Sequence, residues 1–393
     1  MILEYIHGDN SRENFEFKLD VQTDDKFKYI SSSNKLQYIK EFLPAFNSGQ
    51  KLVLFDSNHK QLLEFYQNSD INSMKDIEKV NSQVLFFTSG SSGFPVGAFK
   101  TRENLLREVA VLKELVSSYN IKRVVVTVPF VHIYGVLAGL LLPLSLGNIK
   151  LIVKEDFLPY ELLEEASHKD TLVITTPVFI KSLGKLPEQK DLSGNIFICS
   201  TGPLHNDDIK IFESLYRADI AQLFGSTETG GIAYKFGSSE RWTPLDSVQV
   251  TSKDDKLNIS SPFISPYILN QEILPLEQPF ATEDIVEITN DGFKLLGRSN
   301  KIIKIAGKRI SAAQIESILE SFEDVDAAIV ELVYKKELLR SEQILITLEA
   351  KNEISKKDIK AKISEYYGVL TIPFKLNYVD KINYSAMGKK VLF

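Results

Sequence analysis

The sequence lacks the residues on which disulfide frameworks and zinc motifs depend. Cys199 is the single cysteine among 393 residues, and the five histidines are scattered without the spacing of metal ligands. One cysteine cannot form an internal disulfide, and short zinc motifs need closely spaced ligand pairs. We therefore expect neither a disulfide-stabilised fold nor a structural zinc site, and we interpret Cys199 as a buried strand residue.

An excess of basic charge is also missing. The chain has 46 Lys and Arg against 52 Asp and Glu, which gives a formal charge of −6. Nonspecific binding of nucleic acids requires a basic surface, so we expect no nucleic-acid partner. The first ten residues include acidic side chains and no apolar run of the signal-peptide type, which favours a cytoplasmic location.

Charged residues are absent between Arg123 and Lys150, a stretch long enough to cross a bilayer. Several prolines and glycines interrupt this stretch, which is unusual for a membrane span. Strands that are buried on both faces of a sheet are also apolar throughout. We therefore predict a strand at 124–128, a loop, a buried helix and a strand at 150–153, and no membrane span.

Apolar runs and amphipathic segments alternate over the first three-quarters of the chain. Apolar side chains recur at helical spacing in residues 34–46 and again from Leu105 to Val116, which predicts two helices. Further buried strands are predicted at residues 51–55, 84–88, 171–175, 196–200 and 220–224. The alternation predicts an α/β fold, a large layered domain with a largely parallel sheet.

The pattern changes near residue 298, and we place a domain boundary there. Residues 1–297 form the predicted large domain, and residues 298–393 form a small, mobile α+β domain. In the small domain, Ser311 and Ser355 each stand where a capping box would open a helix. A hairpin before the first helix, two strands between the helices and a strand near Phe374 complete the prediction.

The sharpest local motif is Thr-Ser-Gly-Ser-Ser-Gly-Phe-Pro at residues 88–95. We expect it to connect a strand to a helix. Small residues allow the backbone to approach an anion, and free amides and hydroxyls donate to phosphate oxygens. The motif lacks the Gly-Lys-Ser/Thr of a kinase-type P-loop. Taken alone, it could equally be an exposed Gly/Ser turn.

Other motifs follow in a fixed order. They lie at residues 128–135 (Val-Pro-Phe-Val-His-Ile-Tyr-Gly), 200–204 (Ser-Thr-Gly-Pro-Leu), 224–230 (Phe-Gly-Ser-Thr-Glu-Thr-Gly), 281–284, 297–298, 304–307 and 383–389. The set resembles the adenylate-forming superfamily, which comprises acyl- and aryl-CoA synthetases, luciferases and the adenylation domains of peptide synthetases. The resemblance covers residues 84–393.

The resemblance implies how ATP and Mg²⁺ would be held. Thr227 would contact the α-phosphate, and Glu228 would help to hold Mg²⁺, a cation that prefers carboxylate and phosphate oxygens. Asp284 would accept hydrogen bonds from the ribose hydroxyls, and Arg298 would contact the same sugar. The remaining nucleotide-binding positions are Thr88, Ser89, Gly90, Ser91, Ser92 and Gly93 in the phosphate loop, and Gly225 and Ser226 before the Thr-Glu pair. For Glu228 and Asp284 the alternatives are a solvated cap and a turn residue.

Two further residues are implied in catalysis. Lys389 matches a lysine that serves the first half-reaction, in which a cation offsets repulsion between a carboxylate and a charged phosphate. It could instead be a surface lysine beside Lys390. His132 matches a histidine of the carboxylate-binding region and could otherwise be a core histidine. No carboxylate occurs in residues 124–149, which disfavours an amino acid as substrate.

The sequence departs from the family pattern at several positions. Val96 stands where a lysine usually follows the proline of the phosphate loop, and Lys100 is too far along to be assumed a substitute. Asn300 replaces a charged hinge residue. Only 87 residues precede Thr88, so the chain is predicted to be a short member with a truncated amino-terminal region.

Together these motifs predict an AMP-forming acid–thiol ligase. A small carboxylic acid and ATP·Mg²⁺ would give an acyl-adenylate and pyrophosphate, and a thiol would then accept the acyl group. The thiol could be coenzyme A or the phosphopantetheine of an acyl carrier protein. Val96 and the short amino terminus motivate an alternative, a nucleotide- or acyl-adenylate-binding protein without catalysis.

Overall fold

The computed structural model describes residues 1–16, 23, 27–31, 34–54, 77, 79–88, 96–270, 272–298, 302–305, 308–334, 342–367, 374–384 and 390–391. The chain divides into two compact units. One comprises Met1–Val250 with Ile259–Phe280, and the other comprises Thr251–Asn258 with Ala281–Phe393.

The described strands include those predicted from apolar runs, together with others that were not predicted. They are β1 Ile2–Ile6, β2 Arg12–Phe15, β3 Lys28–Ile30, β4 Leu52–Leu54, β5 Val84–Thr88, β6 Val96–Lys100, β7 Arg123–Val126, β8 Lys150–Lys154, β9 Thr171–Thr175, β10 Ile196–Cys199, β11 Asp219–Ser226, β12 Gly230–Phe236, β13 Arg241–Pro244, β14 Gln249–Lys253, β15 Lys256–Ser260, β16 Tyr267–Asn270, β17 Glu272–Pro275, β18 Phe280–Thr289, β19 Gly292–Arg298, β20 Ile302–Ile305, β21 Lys308–Ser311, β22 Val325–Tyr334, β23 Glu342–Ala350, β24 Phe374–Val379, β25 Asn383–Tyr384 and β26 Lys390–Val391.

The described helices occur between these strands. They are α1 Lys35–Asn47, α2 Arg102–Leu115, α3 Ile133–Val136, a π-helical turn Leu137–Leu141, α4 Leu142–Leu146, α5 Pro159–Ala166, α6 Pro177–Leu183, α7 Asn206–Tyr216, α8 Ala312–Glu320 and α9 Lys356–Tyr367. Side chains cap several of them. Asn34 accepts from the amide of Gln37 at the start of α1, and Thr101 and Asn104 form a capping box at the start of α2.

The larger sheet of the first unit is parallel at its centre. Its strand order is β13-β12-β11-β10-β9-β7-β8-β1-β2, and the strands from β11 to β1 in this order are parallel. Alternate residues of β7 pack into separate clusters, with Val124 and Val126 against α1 and α2, and Val125 against α5, α6 and α7. Helices therefore cover both faces, as the alternating sequence pattern predicted.

The apolar stretch between Arg123 and Lys150 lies inside this layered unit. It forms β7, a loop, the helical segment from α3 to α4, and then β8. Most of its side chains are buried in the core cluster that also contains α1 and α2. In the ranges that the structure describes, no helix has the length and apolar character of a membrane span.

A second sheet of the same unit has the order β17-β16-β6-β5-β4-β3. Strands β5 and β6 are antiparallel, and Thr88 lies opposite Val96. The expectation of a strand–loop–helix arrangement around residues 88–95 was therefore wrong. Residues 96–100 are extended because they pair with β5 on one side and β16 on the other, and helix α2 begins only after Thr101.

The carboxy-terminal elements agree with the α+β prediction. Strands β20 and β21 form the expected hairpin, and β22, β23 and β24 form a sheet packed against α8 and α9. Ser355 and Asp358 exchange the hydrogen bonds of the predicted cap at the start of α9. The second compact unit also includes β18 and β19, which begin before residue 298. The boundary at 297/298 stays a prediction about where a hinge would act.

Candidate active site

The order in which the chain adds parallel strands to the sheet reverses between the neighbouring strands β7 and β9. From β7 the chain passes to β8 on one side, whereas from β9 it continues through β10 to β11 on the other. In open α/β sheets, ligands bind beyond the carboxyl ends of the strands at such a point. Here the hydroxyl of Thr127, which follows β7, donates to Thr175 at the end of β9 across 3.1 Å.

The loop after β7 carries His132, directly beyond this point. His132 is half-buried and caps the backbone of α3, where its carbonyl accepts from the amide of Val136 at 3.0 Å. A Cβ atom on Gly135 would lie 2.0 Å from the carbonyl oxygen of Pro129, so only glycine fits there. This close approach explains the Pro-x-x-His-x-x-Gly spacing, which folds the loop back on itself.

The Thr-Glu motif forms the turn between β11 and β12, at the same edge of the sheet. Thr229 is buried and closes the turn, because its Oγ1 accepts from the amide of Ser226 at 3.1 Å and donates to the carbonyl of Gly230 at 2.8 Å. Thr227 and Glu228 are half-exposed, and their side chains make no hydrogen bond with the described residues. The turn therefore presents a hydroxyl and a carboxylate beside the strand ends.

Glycines make this turn possible. Gly230 has φ of +70°, a conformation that costs other residues about 1–2 kcal/mol. A Cβ on Gly225 would meet the Gly230 carbonyl oxygen at 2.3 Å, and one on Gly231 would meet Leu245 at 2.6 Å. Gly225 and Gly230 are thus required by packing, and a side chain at Gly231 would have to displace Leu245. The space they leave is filled by protein atoms on these sides.

Lys100 and Glu108 lie beneath the turn, and neither was predicted as a site residue. The Nζ of Lys100 donates to the carbonyls of Glu228 at 3.1 Å and Phe263 at 2.6 Å. The Oε1 of Glu108 accepts from the amide of Gly231 at 2.7 Å. Burial lowers the pKa of Lys100 and raises the pKa of Glu108, and each charge opposes the shift of the other.

Asp284 and Arg298, the predicted ribose contacts, lie opposite each other on β18 and β19. The Nε of Arg298 is 3.7 Å from Oδ1 of Asp284. The Asp284 side chain is 15% exposed and that of Arg298 is 56% exposed. Burial raises the pKa of Asp284, whereas Arg298 lowers it. The hairpin thus brings together two residues that are 14 positions apart in the sequence.

Several predicted positions fall outside the described residues. They are Ser89, Gly90, Ser91, Ser92, Gly93, Asn300 and Lys389. Thr88 is described as the last residue of β5. Lys390, the neighbour of Lys389, donates to the carbonyl of Ala328 at 2.9 Å and to the carboxylate of Glu320 on α8. One of the two adjacent lysines is therefore part of the carboxy-terminal unit's packing.

Glu228, the predicted Mg²⁺ ligand, is among the described residues. Within them, no group of three or more His, Cys, Asp or Glu side chains is arranged to hold a metal ion. Nucleotide-bound Mg²⁺ usually needs only one or two protein carboxylates, since phosphate and water supply the other oxygens. The half-exposed carboxylate of Glu228, beside the hydroxyl of Thr227, fits that requirement.

Comparison with solved structures identifies the class of fold. ATP-bound MatB from Rhodopseudomonas palustris superposes with a TM-score of 0.80 at 14% identity, over 98% of this chain and 93% of that chain. The o-succinylbenzoate CoA synthetase MenE from Bacillus subtilis, in complex with the acyl-adenylate OSB-AMP, gives 0.80 at 18% identity over 99% and 94%. The fold is that of these enzymes, and little of either chain lacks a counterpart here.

Sequence comparison then gives the family. The family model described as "AMP-binding enzyme" matches residues 24–276, which is well over half of the chain. A 4-coumarate–CoA ligase from Halorhodospira halophila is 25% identical over 80% of this chain and 76% of its own length. The chain belongs to the AMP-binding enzyme family, as the motifs at residues 84–393 predicted.

Proposed function

We propose that the chain is an AMP-forming acid–thiol ligase. A carboxylate oxygen attacks the α-phosphorus of ATP, which forms an acyl-adenylate and releases pyrophosphate. The sulfur of a thiol then attacks the acyl carbon, and AMP leaves with the former carboxylate oxygen while the thiol proton passes to solvent. Mg²⁺ offsets charge on the phosphates when it is bound. Family membership and the acid–CoA ligases among the relatives support this reaction.

The observation that carries the proposal is the turn between β11 and β12. It holds Thr227 and Glu228 half-exposed at the sheet edge where His132 also lies. We assign Thr227 to the α-phosphate and Glu228 to Mg²⁺, together with Gly225 and Ser226 as the backbone leading to them. His132 is assigned to the carboxylate group of the acid. These roles rest on the resemblance of the motifs.

The other assignments follow from motif matches alone. Residues 88–93 would bind the β- and γ-phosphates, and Asp284 with Arg298 would contact the ribose. Lys389 would offset charge between the acid and the α-phosphate in the first half-reaction. Because residues 124–149 contain no charged side chain, we propose an acid with an uncharged aliphatic or aromatic tail.

Acid-dependent exchange of labelled pyrophosphate into ATP tests the first half-reaction. The panel should contain aliphatic, aromatic, hydroxy and amino acids, each with Mg²⁺ and without a thiol. We expect exchange with at least one uncharged-tail acid and none with amino acids. A folded protein that binds ATP but catalyses no exchange with any acid would favour the non-catalytic alternative.

Lys389→Ala and Lys390→Ala form a matched pair for the role of the terminal lysine. Loss of a group that stabilises transition-state charge typically lowers kcat by about 10²- to 10³-fold, which is our expectation for Lys389→Ala. Lys390 instead contacts Glu320 and the Ala328 carbonyl, so Lys390→Ala should lower thermal stability and leave exchange intact below the melting range. Equal exchange rates in the two variants would contradict the assignment.

The acceptor is either free coenzyme A or the phosphopantetheine of an acyl carrier protein. From residue 298 onward the chain has 17 Lys and Arg against 13 Asp and Glu, so this part is basic although the whole chain is acidic. Both candidate acceptors are anionic, and we expect the KM of the thiol to rise with salt. Mass analysis after incubation with coenzyme A or with a holo carrier protein would distinguish the two.

A further inference from the structure

We infer that Lys100 and Glu108 are positioning residues, which hold the turn of residues 225–231 in the shape that presents Thr227 and Glu228 to the nucleotide. The inference rests on the proposed adenylation reaction. Neither residue touches the reacting atoms. Each bonds to the backbone of the turn or to the segment packed against it, so each would act through Thr227 and Glu228.

Lys100 fixes the carbonyl side of the turn. It is the last residue of β6, is 0% exposed, and donates to the carbonyls of Glu228 and Phe263. The same Glu228 carbonyl also accepts from the amide of Ser265 at 2.8 Å. Two donors from separate segments therefore orient this peptide group, and its orientation determines where the Glu228 side chain leaves the backbone.

Glu108 fixes the other end of the turn. It lies on α2 and is 4% exposed, and its Oε1 accepts from the amide of Gly231. A Cβ added to Gly230 would lie 2.5 Å from its Oε2 and 2.8 Å from Cβ of Phe263. The Glu108 carboxylate thus accepts from the amide of Gly231 and packs tightly against the preceding glycine, Gly230.

Apolar residues could not take the place of Lys100 and Glu108 at this turn. Burying charged groups costs free energy, and apolar residues of similar volume often replace a buried pair without loss of stability. The turn, however, directs its Glu228 carbonyl and its Gly231 amide inward, and an apolar replacement would leave both without these partners. A lysine with several donors and a carboxylate with acceptor oxygens meet both needs.

The same contacts exclude direct binding of phosphate by Lys100. Val96 leaves the phosphate loop without its usual lysine, and Lys100 is the next lysine along the chain. Its Nζ is buried and bonded to two carbonyls, so it is not presented to a ligand. Its effect on ATP therefore passes through the turn.

The test compares Glu108→Leu with Glu108→Gln, and adds the neutral double variant Lys100→Met/Glu108→Gln. Glutamine keeps an oxygen for the Gly231 amide, so we expect kcat for pyrophosphate exchange to stay within about threefold of wild type. Glu108→Leu and the double variant should lose about 10- to 100-fold in kcat, with the KM of the acid unchanged, because a displaced donor acts mainly in the transition state.

Glu165→Gln is the control for a loss of stability alone. Glu165 is a buried carboxylate on α5 that pairs with arginines away from the turn. Its variant should melt at a lower temperature and keep its kcat below the melting range. Unchanged kcat in a folded Glu108→Leu, equal losses in Glu108→Leu and Glu108→Gln, or an equal loss in Glu165→Gln would each overturn the inference.

A readout without activity separates this inference from the proposed function. Hydrogen–deuterium exchange of peptides covering residues 225–231 should be faster in Glu108→Leu and in the double variant, and unchanged in Glu165→Gln. If wild type shows no acid-dependent turnover, the proposed function fails while faster exchange still supports the positioning role. Unchanged deuterium exchange in all variants would overturn it.

Discussion

Gly230→Ala gives a direct test of how far the reaction depends on the shape of the Thr-Glu turn. Gly230 has φ of +70°, and the new methyl group would lie 2.5 Å from Oε2 of Glu108 and 2.8 Å from Cβ of Phe263. Backbone strain costs about 1–2 kcal/mol, and overpacking in a tight interior adds about 1–3 kcal/mol. We therefore expect a loss of about 2–5 kcal/mol in the free energy of unfolding.

Gly147→Ala is the matched control for this variant. Gly147 has φ of +87°, and an added Cβ has no atom within 4 Å, so it carries the backbone strain without the clash. Its loss should stay at about 1–3 kcal/mol, with no change in activity.

Urea unfolding and pyrophosphate exchange at saturating ATP and acid give the two readouts for both variants. Gly230→Ala should also lose about 10²-fold in kcat, as expected when one transition-state donor is displaced. A folded Gly230→Ala with the kcat of Gly147→Ala would refute the reasoning.

Two further predictions concern one buried and one partly buried carboxylate. Glu165→Gln should lower the free energy of unfolding by about 3 kcal/mol, because the Glu165 side chain is 4% exposed and pairs with Arg12 and with Arg123 at 2.9 Å. Glu164→Gln, at an exposed position on the same helix, should stay within about 0.5 kcal/mol, and equal urea midpoints for the two would contradict this prediction. Burial raises the pKa of Asp284, so its ionised form at pH 7 costs more free energy in the folded than in the unfolded chain. Asp284→Asn should therefore be more stable than wild type at pH 7, by a margin that shrinks as the pH falls towards the unfolded pKa, while the KM for ATP rises about tenfold. An Asp284→Asn variant that is less stable than wild type at pH 7 would contradict this prediction.

The sequence predicted the parallel part of the fold because its strands are continuous apolar runs. Residues 171–175 form a strand over the full predicted range, and the uncharged stretch before Lys150 forms the expected strand, loop and helix. Strand β6 was missed because it contains a glycine and ends in a lysine, which is usually an exposed residue. Two neighbouring strands and the turn above Lys100 stabilise β6, and such partners cannot be inferred from local periodicity.

The site shows the same division between local and long-range information. The Thr-Glu motif was found because its residues are contiguous, whereas Glu108 lies 123 positions before the glycine whose amide it accepts. One signal could have identified it. Glu108 stands on the apolar face of α2 with Leu105, Val109 and Leu112, where a carboxylate needs a buried partner. Asp284 and Arg298 lie opposite each other only because of the register of the β18–β19 hairpin. This register includes a bulge, which the local sequence pattern did not predict.

Transfer of ¹⁸O from a labelled carboxylic acid most directly tests the central claim that the chain forms an acyl-adenylate. The acid, ATP, Mg²⁺ and a thiol acceptor are incubated with the protein, and the nucleotide products are examined by mass spectrometry. If the carboxylate attacks the α-phosphorus, AMP should carry one ¹⁸O atom and pyrophosphate none. ¹⁸O in inorganic phosphate with release of ADP, or unlabelled AMP, would contradict the account.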